Sequence, residues 1–119
     1  EYNGKLYFTT GNLYVTSNLK SANKIELEKN SIVTDIQVLD NTLYVLTSQK
    51  LDDGTYRTAL WCKQNGQKEK FQELFYFRFP CPAQCFTHHN GTLYFGMGDG
   101  TLSKSNPANG IILAAYVLG

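Results

Sequence analysis

The stretch Asn90-Gly-Thr-Leu-Tyr-Phe-Gly-Met-Gly-Asp-Gly-Thr-Leu102 decides the fold class, because its pattern occurs three times in 119 residues. The chain opens on Asn3-Gly-Lys-Leu-Tyr-Phe-Thr-Thr-Gly11, and Asp40-Asn-Thr-Leu-Tyr-Val-Leu-Thr-Ser48 lies in its middle. Each copy is a polar turn followed by Leu-Tyr and a β-branched or aromatic residue. Recurrence at a spacing of a few tens of residues is typical of repeat architectures. The unit that this pattern predicts is a small antiparallel sheet.

The first copy predicts a hairpin and a third strand. Apolar runs at Lys5 to Thr9 and Leu13 to Ser17 flank the turn at Gly11-Asn12, where glycine supplies a positive φ. Further on, Lys24 to Glu28 alternates strictly between polar and apolar residues. Such alternation indicates a half-exposed strand.

The second copy predicts a complete four-stranded meander. Its strands are Ile32 to Leu39, Leu43 to Ser48, Tyr56 to Lys63 and Phe71 to Phe79, joined by short turns. Within the third strand, Ala59-Leu-Trp-Cys62 is a continuous apolar run. Such a run favours a strand that is buried on both faces.

The third copy predicts four further strands, which gives eleven in all. They are Ala83 to His88, Leu93 to Met97, Leu102 to Ser105 and Ile111 to Leu118. No segment has apolar residues at helical spacing for long enough to predict an amphipathic helix.

Antiparallel four-stranded meanders in series are the blades of β-propellers. We therefore predict a single all-β unit over residues 1–119, with three blades at 1–30, 31–80 and 81–119 and with one inner strand missing before Lys5. Closed propellers have typically about four to eight blades, so three would form a partial ring with open edges. A second copy would complete it, or the chain is part of a longer propeller. Alternatively, the strands fold on their own as a β-sandwich.

The third copy resembles a repeat of the quinoprotein-type propellers. The resemblance rests on Gly91 to Leu102, on Asn106, and on the Gly110 to Leu113 run. It implies a propeller fold but covers only about one blade. Asn106 replaces the usual Asp, Lys104 occupies a normally small position, and Ala114 stands where a Trp would dock. Divergent WD40-like blades, which often lose their signature residues, are the other propeller family considered.

Composition excludes several classes of function. The net charge is +1 and the basic residues are scattered, so no stripe is available to bind nucleic acid. No apolar run approaches the roughly 18 residues that span a bilayer. With eight Tyr and seven Phe, the chain is instead rich in residues that fill β cores.

The sequence predicts no catalytic site, no metal and no cofactor. His88 and His89 are neighbours on a predicted strand, so they point to opposite faces and cannot share a metal ion. Cys85 and His88 lack an acid that would orient the base. The pair Cys81 and Cys85 does not have zinc-site spacing. We read all three cysteines, including Cys62, as small buried apolar residues, with one disulfide and one thiol as the alternative.

We therefore predict a non-enzymatic scaffold that binds protein partners or associates with itself. A carbohydrate-binding propeller and a fragment of a quinoprotein-like enzyme are the alternatives. The turns and the aromatic outer strand provide the candidate interaction surface. Its residues are Asn12, Asp52, Asp53, Phe75, Tyr76, Phe77, Arg78, Phe79, Met97 and Asp99.

Overall fold

A computed structural model describes residues 1–64, 70–97 and 112–117, of which 64 and 112–117 are described by their backbone alone. The described part is built from three antiparallel sheets, each with its strands in chain order. The all-β prediction is thereby confirmed. Among the described residues there is no helix long and apolar enough to cross a membrane.

Sheet 1 contains β1 (Leu6–Thr9), β2 (Leu13–Thr16) and β3 (Asn23–Ile25). The predicted hairpin is confirmed, with Gly11 at φ 104° between its strands. The third strand is shorter than the predicted Lys24 to Glu28. Beyond Ile25 the chain leaves the sheet, because Leu27 packs into the core and Glu28 forms an ion pair with another sheet.

Sheet 2 is the predicted four-stranded meander. It contains β4 (Ile32–Leu39), β5 (Thr42–Lys50), β6 (Tyr56–Gln64) and β7 (Gln72–Phe79), in that order. The register shifts twice, between Val33 and Asp35 on β4 and between Leu60 and Trp61 on β6. Such β-bulges bend a strand and change which side chains share a face.

Sheet 3 contains β8 (Ala83–His89), β9 (Thr92–Met97) and β10 (Ile112–Val117). β10 pairs directly with β9, from Ile112 opposite Met97 to Val117 opposite Thr92. It therefore takes the third position in the described sheet, so the prediction that residues 102–105 hold this position and that the last strand is the fourth was wrong. Residues 102–105 lie outside the described part.

Two tight turns explain why the repeated polar-turn and Leu-Tyr pattern folds into hairpins. Between β4 and β5, Asp40 and Asn41 have φ of 50° and 61°; between β8 and β9, Asn90 and Gly91 have φ of 50° and 77°. Consecutive positive φ values are the condition for the hairpin turns whose twist matches that of the strands. Asn, Asp and Gly tolerate this conformation best.

The three sheets stack face to face, so the middle sheet is covered on both sides. One core lies between sheets 1 and 2 and a second between sheets 2 and 3. The buried residues of the first core are Tyr2, Tyr7, Leu13, Val15, Val33, Leu43 and Val45. Those of the second are Leu46, Leu60, Ala83, Phe86, Leu93, Phe95 and Met97. The predicted burial of the β6 run on both faces is confirmed, since Leu60 faces the second core and Trp61 packs on the first.

The first strands of the sheets lie next to one another in chain order: β1 contacts β4, and β4 contacts β8. At the first junction, the Val33 N–H donates to the Gly11 carbonyl at 2.9 Å, and the Thr9 hydroxyl donates to the Val33 carbonyl at 3.2 Å. The sequence placed a missing inner strand before Lys5. In the structure β1 is the first strand of its sheet and contacts β4, and the described sheet ends at the short β3.

Candidate interaction site

Four of the predicted surface residues come together in one shallow groove on sheet 2. Asp52 and Asp53 lie on the turn between β5 and β6, and Tyr76 and Arg78 lie on β7. Leu51 and Arg57 complete the lining of an open space of about 610 Å³. We call this site the Tyr76 groove.

The alternation of β7 decides which of its residues reach the groove. Every second side chain, including Tyr76 and Arg78, is exposed, and the ones between are half-buried. Phe75, Phe77 and Phe79 pack instead on the second core. The rings of Phe75 and Phe77 lie 5.9 and 5.7 Å from that of Phe95, edge to face.

Tyr76 is held in place by Arg57. The guanidinium carbon lies 4.2 Å from the centre of the Tyr76 ring, a cation–π contact. Arg57 is fixed in turn by two carboxylates: Nη1 donates to both oxygens of Glu28 at 2.9 and 3.0 Å, and Nη2 to Glu73 at 2.5 Å. Tyr76 nevertheless remains 58% exposed. It is thus a large exposed aromatic side chain on a fixed support.

The turn before β6 positions the acidic side of the groove. The Leu51 N–H donates to the Thr55 carbonyl at 2.8 Å, and Gly54 has a φ of 85°. Within the turn, Asp53 accepts hydrogen bonds from the Thr55 hydroxyl at 2.6 Å and from the Thr55 N–H at 2.9 Å. These bonds, with the nearby Arg78, lower the pKa of the Asp53 carboxyl.

Arg57 and Arg78 stand directly opposite each other across β6 and β7. Like charges in this position repel, but each has its own carboxylate partner. Arg78 Nη2 donates to Asp53 at 2.7 Å, and Arg57 is held by the two glutamates. Asp52 is exposed, and its carboxylate has no hydrogen bond or ion pair among the described residues.

Two other predicted surface residues lie elsewhere in the described part of the chain. Asn12 is exposed and lines a separate cavity of about 330 Å³ between sheet 1 and the segment that follows β3. Met97 is 3% exposed and belongs to the second core. Asp99 lies outside the described residues.

Sequence reasoning missed Arg57, Glu28 and Glu73. Arg57 is one of many scattered basic residues, and its partner Glu28 lies 29 positions away, in the segment between β3 and β4. The opposition of Arg57 and Arg78 follows only from the register of β6 with β7. The residues Asp52-Asp53-Gly54 predicted the turn, but no sequence pattern predicted the cluster that Arg57 forms with Glu28 and Glu73.

The other titratable and metal-binding side chains of the described residues are dispersed. In the described residues no three His, Cys, Asp or Glu side chains are grouped so as to hold a metal ion. His88 pairs with Leu93 and is half-buried, while His89 is exposed on the opposite face of β8. The two histidines therefore point apart, as predicted.

The three cysteines are all thiols, in three different environments. Cys62 is buried, and burial raises the pKa of its thiol. Cys81 is half-buried beside the second core, and Cys85 is exposed. The prediction of three buried cysteines was therefore wrong for Cys85.

The amino-terminal Tyr2 is anchored in the first core. Its hydroxyl donates to the carbonyls of Asn41 at 2.8 Å and Lys63 at 3.0 Å. Burial raises the pKa of Tyr2, against the opposing effect of the Lys63 charge. The buried Lys63 ammonium also donates to the Tyr7 hydroxyl at 3.2 Å. These contacts tie the start of the chain to sheet 2.

No protein-family model, no curated protein and no solved structure matches this chain. The resemblance to quinoprotein-type propellers therefore stays a prediction.

Proposed function

We propose that this chain is a portion of a β-propeller and acts as a non-enzymatic scaffold that binds protein chains. A second copy or another polypeptide completes the ring. The observation that carries the proposal is the open apolar face of sheet 1, at one end of the stack.

The stacking of the sheets favours blades over a two-layer sandwich. A sandwich packs two sheets around one core, whereas sheet 2 has a core on each face. The sheets also follow one another in chain order with β1, β4 and β8 adjacent. Successive meanders arranged in this way are what propeller blades provide.

The outward face of sheet 1 carries Leu6, Phe8 and Tyr14. Phe8 and Tyr14 are paired across β1 and β2, and their rings stack with centres 5.4 Å apart. Leu6 is 41% exposed, and the two aromatic residues are half-buried. None of the three belongs to either of the two cores of the described residues. An apolar sheet face is stable when another layer covers it, so we expect a further sheet to pack here.

Self-association of the isolated chain tests this proposal. Light scattering behind a sizing column, over a range of protein concentrations, should show a dimer or larger species. The double substitution Leu6→Glu and Phe8→Glu should make the chain monomeric, because burying two carboxylates in an apolar interface is strongly unfavourable.

Leu19→Glu is the matched control, since Leu19 is 78% exposed and lies outside the strands of sheet 1. It should associate as the wild type does. A wild-type chain that stays monomeric at every concentration would refute completion of the ring by a second copy. Association that survives both substitutions on the sheet 1 face would refute the role of that face.

A further inference from the structure

We propose that the Tyr76 groove binds a neutral oligosaccharide. This ligand site is separate from the face of sheet 1 on which the scaffold function rests. The groove is lined by side chains of β6, of β7 and of the turn between β5 and β6.

The aromatic part of the site suits the apolar face of a sugar ring. Arg57 contacts the Tyr76 ring at 4.2 Å and is itself held by two carboxylates. The Tyr76 ring is therefore positioned before any ligand arrives, which reduces the entropy lost on binding. With 58% of the residue exposed, it offers a flat apolar surface with a polar hydroxyl at its edge.

The polar part of the site suits hydroxyl groups. Asp52 presents a carboxylate that has no partner among the described residues and accepts hydrogen bonds only. Asp53 and Arg78 form an exposed ion pair at 2.7 Å, with side chains 54% and 56% exposed. Carboxylate and guanidinium groups make charge-assisted hydrogen bonds. A sugar hydroxyl can donate a hydrogen bond to a carboxylate and accept one from a guanidinium.

The charges of the groove disfavour an anion. Two aspartates and two arginines line it, and Glu28 and Glu73 add two further carboxylates beside Arg57. No excess of positive charge is available to hold a phosphate or another anion. A cation over Tyr76 would compete with the Arg57 guanidinium, which already makes the cation–π contact with that ring. A ligand with apolar C–H faces and uncharged hydroxyls meets neither difficulty.

Direct titration tests the site. Three probes would be added to the full chain: a β-linked glucose oligosaccharide, an N-acetylglucosamine oligosaccharide and a mannose oligosaccharide. Calorimetry should detect binding of at least one, and NMR should place the shifted amides at residues 51–57 and 76–78. Tyr76→Ala should weaken binding by about tenfold or more, the loss of one good aromatic contact. Tyr76→Phe, which keeps the ring, should bind nearly as tightly as the wild type.

Tyr94→Ala is the matched control. Tyr94 lies on β9 of sheet 3, on the face away from the second core, and does not line the Tyr76 groove. It should leave the affinity unchanged. Binding of none of the three probes, or equal binding by wild type and Tyr76→Ala, would overturn the proposal. The Leu6→Glu and Phe8→Glu variant should bind sugar as the wild type does, so that failure of the scaffold proposal and failure of the sugar site give different results.

Discussion

The carboxylate of Asp35 accepts a hydrogen bond from the backbone N–H of Phe86 at 3.0 Å, and thereby joins the first strands of sheets 2 and 3. Asp35 lies at the bulge of β4, where it also accepts from the Ile36 N–H at 2.9 Å. Gln37, two residues on, donates to the Phe86 carbonyl. The β4 bulge thus directs polar side chains to the backbone of β8.

Asp35→Ala should reduce the free energy of unfolding by about 1–3 kcal/mol, because it leaves the half-buried Phe86 N–H without its acceptor. Chemical denaturation measures the change. Asp52→Ala, the same substitution at an exposed residue, should change the stability by less than about 0.5 kcal/mol. Equal effects at the two positions would show that Asp35 does not join the sheets.

Thr47 and Thr58 provide a matched pair with opposite expectations. Both are 0% exposed on sheet 2. The Thr47 hydroxyl accepts from Trp61 Nε1 at 2.9 Å, whereas the Thr58 hydroxyl has no partner among the described residues. Thr47→Val should therefore lower the free energy of unfolding by about 1 kcal/mol and Thr58→Val should raise it by a similar amount. Destabilisation by Thr58→Val would indicate a partner for that hydroxyl.

The register of β8 with β9 can be tested at Gly96. A Cβ at this position would lie 2.6 Å from the Sγ of Cys85, its partner across the strands. Gly96→Ala should destabilise the fold by about 1–3 kcal/mol through this overlap. Adding Cys85→Ala should restore most of the loss, because the two residues are in contact and their effects are not additive. Additive effects in the double variant would contradict the register.

The stability should depend on pH through Asp53. Its folded-state pKa is lowered, by the Thr55 hydrogen bonds first and by Arg78 in addition. A group with a lowered folded pKa stabilises the fold above its unfolded pKa, and this contribution disappears as the pH falls through the folded pKa. Asp53→Asn should therefore flatten the plot of unfolding midpoint against pH at acid pH, and Thr55→Val, which removes one of the hydrogen bonds to Asp53, should flatten it less. High salt should reduce the difference, since Asp53 is exposed. Identical acid limbs for all three proteins would contradict this role for Asp53.

The hairpins were predictable from sequence because their determinants are local. Asp40-Asn41 and Asn90-Gly91 adopt the positive φ values that their residue types favour, and Leu-Tyr runs follow both turns. The apolar Ala59 to Cys62 run likewise predicted a strand covered on both faces. Each of these features depends on a few consecutive residues.

The parts that were missed depend on distant contacts. β3 ends at Ile25, and Glu28 beyond it forms an ion pair with Arg57 on sheet 2. The alternation of polar and apolar residues does not reveal this distant contact. The bulge at Leu74 of β7 sets Phe75 opposite Leu60 and Glu73 opposite Trp61. It thereby decides which residues of β7 meet Arg57. Asp52, Asp53, Tyr76 and Arg78 were foreseen as surface residues, but their assembly with Arg57 requires this register.

The most direct test of the proposed scaffold is an experimental structure of the associated species. The expected result is a further β-sheet, from a second copy or another polypeptide, packed on Phe8 and Tyr14, with β1, β4 and β8 facing a common axis. A structure in which the Phe8 and Tyr14 face lies in solvent while the chain is associated elsewhere would contradict the proposal. A structure in which sheets 1 and 3 of one chain pack directly on each other around a single core would also contradict the proposal.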